Sequence, residues 1–176
     1  TESIYKPVIE DEEEDMAPTS GSGGMVMRFR GGPPEEIYYN ADQQSALSSR
    51  EFMGKQYLVT DSLTVAPWKF GTETKTILGY ECKQAYYSFS EEVTTMRMTG
   101  SGPPEPEKRM VTRDITAWYT DKLRPSLGPD RYFSLPGAIL AIDVNNGERV
   151  TVATKVELRA LKKNELKVPE KGDKVT

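Results

Sequence analysis

Tyr132-Phe133-Ser134-Leu135-Pro136-Gly137-Ala138-Ile139-Leu140-Ala141-Ile142-Asp143-Val144 is the longest apolar run in the chain, and turn chemistry bounds it on both sides. Gly128-Pro129-Asp130 breaks whatever precedes it, and Asn145-Asn146-Gly147 follows it. The run reads as a buried strand and Val150 to Leu158 as a second one, so together they announce a hairpin. Leu135-Pro136-Gly137 reads as the structural corner through which the chain enters it. Pro136 cannot donate an amide proton and suits the start of a strand or an edge, while Gly137 permits a sharp bend or a close backbone approach.

The register follows from which faces must meet. Leu140, Ile142 and Val144 share a face at a period of two, and Val150, Val152, Val156 and Leu158 share another. A two-residue Asn146-Gly147 turn sets these two faces on opposite sides of the sheet. A loop of Asn145, Asn146 and Gly147 sets Ile142 opposite Val150 and Leu140 opposite Val152. That loop is a type I turn with a bulge, which requires a positive φ at Gly147.

Composition bounds the rest. The 176 residues are enough for one domain with a real core, and 36% apolar content beside 28% charge is normal for a domain that carries polar tails. A net charge of -4 and a pI near 5.1 give no electrostatic footprint for nucleic acid. No run reaches the apolar length of a membrane-spanning helix. The lone cysteine, Cys82, allows no internal disulfide, and histidine is absent from the sequence. The first residue is Thr1 rather than methionine, which suggests a processed amino terminus.

Three regions follow: a tail over 1–24, a single β domain over 25–168 and a second tail over 169–176. In the first tail, Glu10, Asp11, Glu12, Glu13, Glu14 and Asp15 form a block of like charge, and Ser20 to Gly24 is a flexible linker. The acidic block suits a basic partner surface. Ahead of it, Ile4-Tyr5-Lys6-Pro7-Val8-Ile9 has the pattern of a strand that adds to an edge, including that of a partner.

From Met25 the alternation is that of strands. Met25 to Phe29, Ile37 to Tyr39, Lys55 to Thr60, Ser62 to Val65, Thr76 to Phe89, Val93 to Thr99 and Val111 to Thr120 all carry it. Asp42 is positioned to cap one short helix over Gln43 to Ser49. Within Thr76 to Phe89, Leu78, Tyr80 and Cys82 lie on one face and Ala85, Tyr87 and Phe89 on the other. A bulge near Lys83-Gln84 restores a single apolar face. On the Val111 strand, Ile115, Ala117 and Tyr119 share one side and Trp118 takes the other. The expected fold is all-β and antiparallel, a strongly curved sheet or an incompletely closed β-barrel with little helix.

Four blocks in this order, Ile77-Leu78-Gly79-Tyr80-Glu81-Cys82-Lys83-Gln84-Ala85, Ala117-Trp118-Tyr119-Thr120, Gly128-Pro129 and Leu135-Pro136-Gly137-Ala138-Ile139-Leu140, resemble the GLPGLI family of exported proteins from Bacteroidetes-type bacteria. The naming hexapeptide reads Ser-Leu-Pro-Gly-Ala-Ile in this chain, a departure at Ser134 and Ala138. The resemblance covers roughly residues 25–168. It implies an envelope protein with a cleaved signal, frequently encoded beside outer-membrane TonB-dependent receptors. It carries over no catalytic residue.

The inventory of reactive side chains points the same way. Without histidine there is no Ser-His-Asp or Cys-His arrangement and no ordinary zinc site. Cys82, on an apolar face beside Tyr80, reads as a buried thiol. Two other chemistries stay open. Met25, Met27, Met96 and Met98 place pairs of thioethers on strand faces, and with Cys82 they are soft ligands suited to Cu(I). The concave face of an open sheet, walled by Trp68 and Trp118, suits a lipid or another apolar ligand. The leading expectation is a non-enzymatic interaction module without a cofactor, at the periplasm or outer membrane, bound to an outer-membrane protein.

Overall fold

The computed structural model describes residues 1–8, 35–62, 64–97, 105–170 and 172–175. Among them there is no helix. The described residues form ten strands in two five-stranded sheets, both antiparallel except for one parallel pair. The first sheet runs β1 (Glu2–Tyr5), β2 (Glu35–Asn40), β3 (Ser45–Phe52), β4 (Lys55–Ser62) and then β10 (Asp173–Val175), which lies parallel to β4. The second is a meander of β5 (Lys69–Ile77), β6 (Tyr80–Arg97), β7 (Glu105–Thr120), β8 (Ala138–Val144) and β9 (Arg149–Val152). The all-β antiparallel reading therefore holds. In place of one strongly curved sheet or a nearly closed barrel, the chain divides into two sheets between Ser62 and Lys69, where Pro67 interrupts pairing.

The proposed helix over Gln43 to Ser49 is a turn followed by β3. The Asn40 side-chain oxygen accepts a 2.9 Å bond from the Gln43 amide, and the chain reverses so that Asn40 pairs with Ser45. Strands on both flanks then decide the conformation of Ser45 to Phe52 against any local helical preference. Asp42, expected as a helix cap, pairs with the amino terminus. The reading of residues 1–24 as a tail is corrected at its start. Ile4 and Tyr5 pair with Tyr38 and Ile37, and Ser3 is buried. Val8 is exposed. Ile9, Glu10 to Asp15 and the Met25 to Phe29 strand fall outside the described residues.

The second sheet buries side chains on both faces, and this is why the alternation changes phase. Ala85, Ile115, Ala117, Tyr119, Leu135, Ile139, Ile142 and Val144 form one core, with Trp68, Tyr87 and Tyr132 against it. Ile77, Cys82, Ala138, Leu140 and Ala141 form another, covered by Tyr80, Trp118, Leu123, Ala153 and Val156. The bulge expected near Lys83-Gln84 is not there: β6 pairs with β7 without interruption from Lys83–Tyr119 to Arg97–Glu105. The irregularities lie in the neighbours, between Phe70 and Thr74 of β5 and at Leu140 of β8. The segment Thr76 to Phe89 is not one strand. Leu78 and Gly79, both at positive φ, form a two-residue turn that joins β5 to β6.

The central hairpin exists, with its register shifted by one. Gly147 has the expected positive φ of 97°, but Glu148 joins the loop and Val144 pairs with Arg149. Ile142 therefore faces Thr151, and Val150 and Val152 are left 54% and 46% exposed. The loop's side chains account for the difference. The Gly147 amide donates to Asp143 Oδ1 at 2.6 Å, the Asp114 amide donates to Asn145 Oδ1 at 2.9 Å, and Asn145 Nδ2 donates to Glu148 Oε2 at 2.6 Å. At roughly 1–3 kcal/mol each, such bonds match the burial of two valines, about 3 kcal/mol.

Strand β8 begins at Ala138, so Tyr132 to Gly137 is not part of it. Those residues join the two sheets instead. Phe133 stacks on Tyr39 of β2 at 3.9 Å between ring centroids, and the Tyr39 hydroxyl donates to the Asp130 carbonyl at 3.0 Å. Leu135 is buried in the core, and Gly137 packs where a Cβ would stand 2.0 Å from the Thr120 carbonyl oxygen. The corner role read from Leu135-Pro136-Gly137 is thus carried by close backbone approach.

Candidate functional site

Two features of the second sheet face solvent with unusual chemistry, and both grow out of β6. The strand is 18 residues long and its partner β7 is 16, far longer than their neighbours. β5 last pairs at Tyr86 and β8 at Ile115. Beyond those points, and apart from the Asn145 contacts on Asp114, Tyr87–Arg97 and Glu105–Asp114 pair only with each other among the described residues, as a two-stranded ribbon about 30 Å long. Such a ribbon has little core of its own. Cross-strand polar contacts hold it: Glu92 takes Lys108 at 2.8 Å, Ser88 donates to Asp114 at 2.6 Å, and Glu91 pairs with Arg113.

At the root of the ribbon lies an open hollow of about 290 Å³, lined by Thr64 and Ala66 of the linker between sheets, Trp68, Tyr87, Phe89, Asp130, Arg131, Tyr132 and Ser134. Period two explains the aromatic wall. The face that buries Ala85 continues along β6 to Tyr87 and Phe89, but past Ile115 no further strand among the described residues covers it. Trp68 meets Tyr87 edge to face at 4.6 Å, and Tyr87 stacks beside Phe89 at 5.9 Å. Phe89 remains 38% exposed. The Trp68 indole donates to Ser134 Oγ at 3.0 Å, which fixes the ring. Burial, with Tyr132 close by, pushes the Tyr87 phenol up to about 12, so it stays neutral. Burial likewise raises Tyr132.

The polar rim is anchored to the other sheet. Arg131 donates twice from Nη2 to Glu35 of β2, at 3.0 and 2.8 Å, and Arg50 of β3 reaches the same carboxylate at 3.0 Å. Burial alone works against the charge on Glu35, yet Ser48 and the two guanidiniums together outweigh it and hold the carboxyl below its ordinary value. Arg131 is held above its ordinary value: burial opposes the charge, and Glu35 outweighs it. Ser134 meets an indole donor, a partner that removes no proton from a hydroxyl. The arrangement offers flat apolar contact area beside a fixed cation and a carboxylate, which is the chemistry of recognition.

The residues singled out in the sequence fall mostly elsewhere. Trp118 and Tyr119 take opposite faces of β7: Tyr119 is buried in the first core, whereas Trp118 lies on the second with Lys75 Nζ 5.4 Å from its ring centre. Trp68 and Trp118 therefore cannot wall one cavity. Cys82 is fully buried, its thiol pushed up by burial and donating to the Tyr80 carbonyl at 3.5 Å. For copper, Met25, Met27 and Met98 lie outside the described residues. Cys82 and Met96 stand near opposite ends of β6, about 45 Å apart along the strand, so they share no metal. Among the described residues no group of three or more His, Cys, Asp or Glu is placed to hold a metal ion. Asp130 and Arg131 were missed in the sequence, because nothing local says that the loop after Gly128-Pro129 turns toward the other sheet. The continuation of aromatics from Ala85 to Tyr87 and Phe89 was the available signal.

Comparison with known proteins gives a family of unknown function and a distant structural relative. A family model described as "Protein of unknown function (Porph_ging)" matches residues 68–141, the stretch from the lip of the hollow into β8. No curated protein matches. Two structures of PNGF-II, in the C2 and P21 space groups, are similar in fold, each with a TM-score of 0.54, at 23% and 22% identity. The similarity covers 83% of this chain and 24% of that one, so the chain spans about a quarter of its relative's length.

Proposed function

We propose that the chain is a non-enzymatic interaction module of the bacterial envelope, exported by a cleaved signal and docked on an outer-membrane protein such as a TonB-dependent transporter. The hollow at the ribbon root carries this reading. Trp, Tyr and Arg in a concave patch with a polar rim are the residues that dominate binding energy at protein interfaces. The setting rests on the resemblance to the GLPGLI family. All four blocks of that resemblance lie within the span matched by the family model, residues 68–141, and that model describes a domain found in Bacteroidetes. Glu10 to Asp15 add an acidic arm for a basic patch on the same partner.

Affinity capture from the native envelope tests the reading. Wild-type chain retains an outer-membrane protein, and Phe89→Ala retains it roughly thirtyfold more weakly, the loss of about 2 kcal/mol expected at a central anchor. Because Phe89 sits on the ribbon and not in a core, its melting temperature stays near that of the wild type. Equal capture by the two proteins removes the hollow from the interface.

A further inference from the structure

The hollow leaves the outer edge of β7 unexplained. From Glu107 to Arg113 that edge pairs with nothing among the described residues, and at Asp114 it is closed: the Asn145 amide donates to the Asp114 carbonyl at 2.8 Å while Asn145 Oδ1 accepts from the Asp114 amide. A free edge of this length is a template for another strand. Its charges are those that discourage arbitrary addition, so the occupant must answer them. Glu107 stands at the outer end, and Arg109 and Arg113 stand further in on the same face. Lys108 and Asp114 are arranged in the opposite sense on the other face.

We propose that the occupant is a second copy of this chain, with the two β7 edges pairing antiparallel about a two-fold axis at Met110. In this register Glu107 of each copy lies opposite Arg113 of the other, Lys108 opposite Thr112, and Arg109 opposite Val111. Asp114 comes diagonally next to Lys108, so each face brings an unlike pair together, against a diagonal approach of Arg109 to Arg109 and Arg113 of the copy. Met110, 66% exposed on the lone chain, meets its own copy on the axis. Pairing is confined to Glu107–Arg113, because Asp114, opposite Pro106 of the copy, is already closed by Asn145. The product is a four-stranded sheet in the order β6, β7, β7, β6, which gives two marginal ribbons the neighbours each lacks. The outer edge of β6 does not fit: Ser88 to Thr95 carries Glu91 and Glu92 and no cation to answer them.

Sedimentation of the 176-residue chain from low to high micromolar concentration tests this together with cysteine trapping. The wild type dimerises. Glu107→Lys sets like charges against each other twice and weakens the dimer roughly tenfold, with melting unchanged. Under mild oxidation Met110→Cys is trapped as a disulfide-linked dimer. Thr94→Cys, an exposed position on the same face of β6, is trapped only at the background rate of the wild type, whose Cys82 is buried. A monomer at every concentration overturns the proposal. So does a dimer indifferent to Glu107→Lys, or equal trapping at 94 and 110. None of these outcomes bears on the hollow, so this proposal fails or stands apart from the envelope reading.

Discussion

Gly137 is the residue on which the join between loop and core turns. With a Cβ placed 2.0 Å from the Thr120 carbonyl oxygen and 2.9 Å from the Asp121 amide, any side chain must push backbone, which cannot yield as a flexible side chain can. Gly137→Val costs about 2 kcal/mol, a fall of about 4–8 °C in melting temperature for a chain of this size, and calorimetry reads it directly. The role of this glycine was legible because proline and glycine side by side between apolar runs leave few conformations. The shifted register of the next turn was not. Period-two reasoning weighs only apolar faces, whereas Asp143, Asn145 and Glu148 settle the loop through hydrogen bonds that two half-exposed valines do not outweigh.

At the scale of elements, strand existence was readable wherever alternation was strong, and the errors come from a sheet with two buried faces. Cys82 and Ala85 both have no exposed surface, yet they point to opposite sides of β6. A reader who allows one core must insert a bulge between them; the strand itself needs none. The ribbon was hidden for a related reason. Sequence shows Val93 to Thr99 and Val111 to Thr120 as strands, but the absence of a third strand beside them among the described residues depends on where β5 and β8 stop, at Tyr86 and Ile115. The short helix failed because Ser45 to Phe52 is paired along both edges, an outcome set by distant residues and not by Asp42.

At the scale of the whole molecule, the two sheets are held together by the Asp130 to Phe133 loop, and the Glu35–Arg131 pair is its charged fastening. A carboxyl depressed in the folded state contributes stability that is present above its unfolded value of 4.5 and is lost as pH falls through the folded value. Glu35→Gln therefore lowers the melting temperature at neutral pH by about 2–4 °C, for about 1 kcal/mol after allowance for the half-exposed arginine. The gap to the wild type narrows in acid below that value. Thermal melts across pH check the sign; a gap that widens in acid contradicts it. The fastening also sets the rim of the hollow, so the site depends on contacts between residues as far apart as Glu35 and Arg131, which no local pattern announces.

The most direct test of the account is hydrogen exchange on the chain, free and bound to its copurified envelope partner. Exchange slows on binding in the three stretches around the hollow, Thr64 to Trp68, Tyr87 to Phe89 and Asp130 to Ser134, with β9 unchanged. Protection confined to β9 or to β2–β4, with the hollow exchanging as in the free chain, contradicts it.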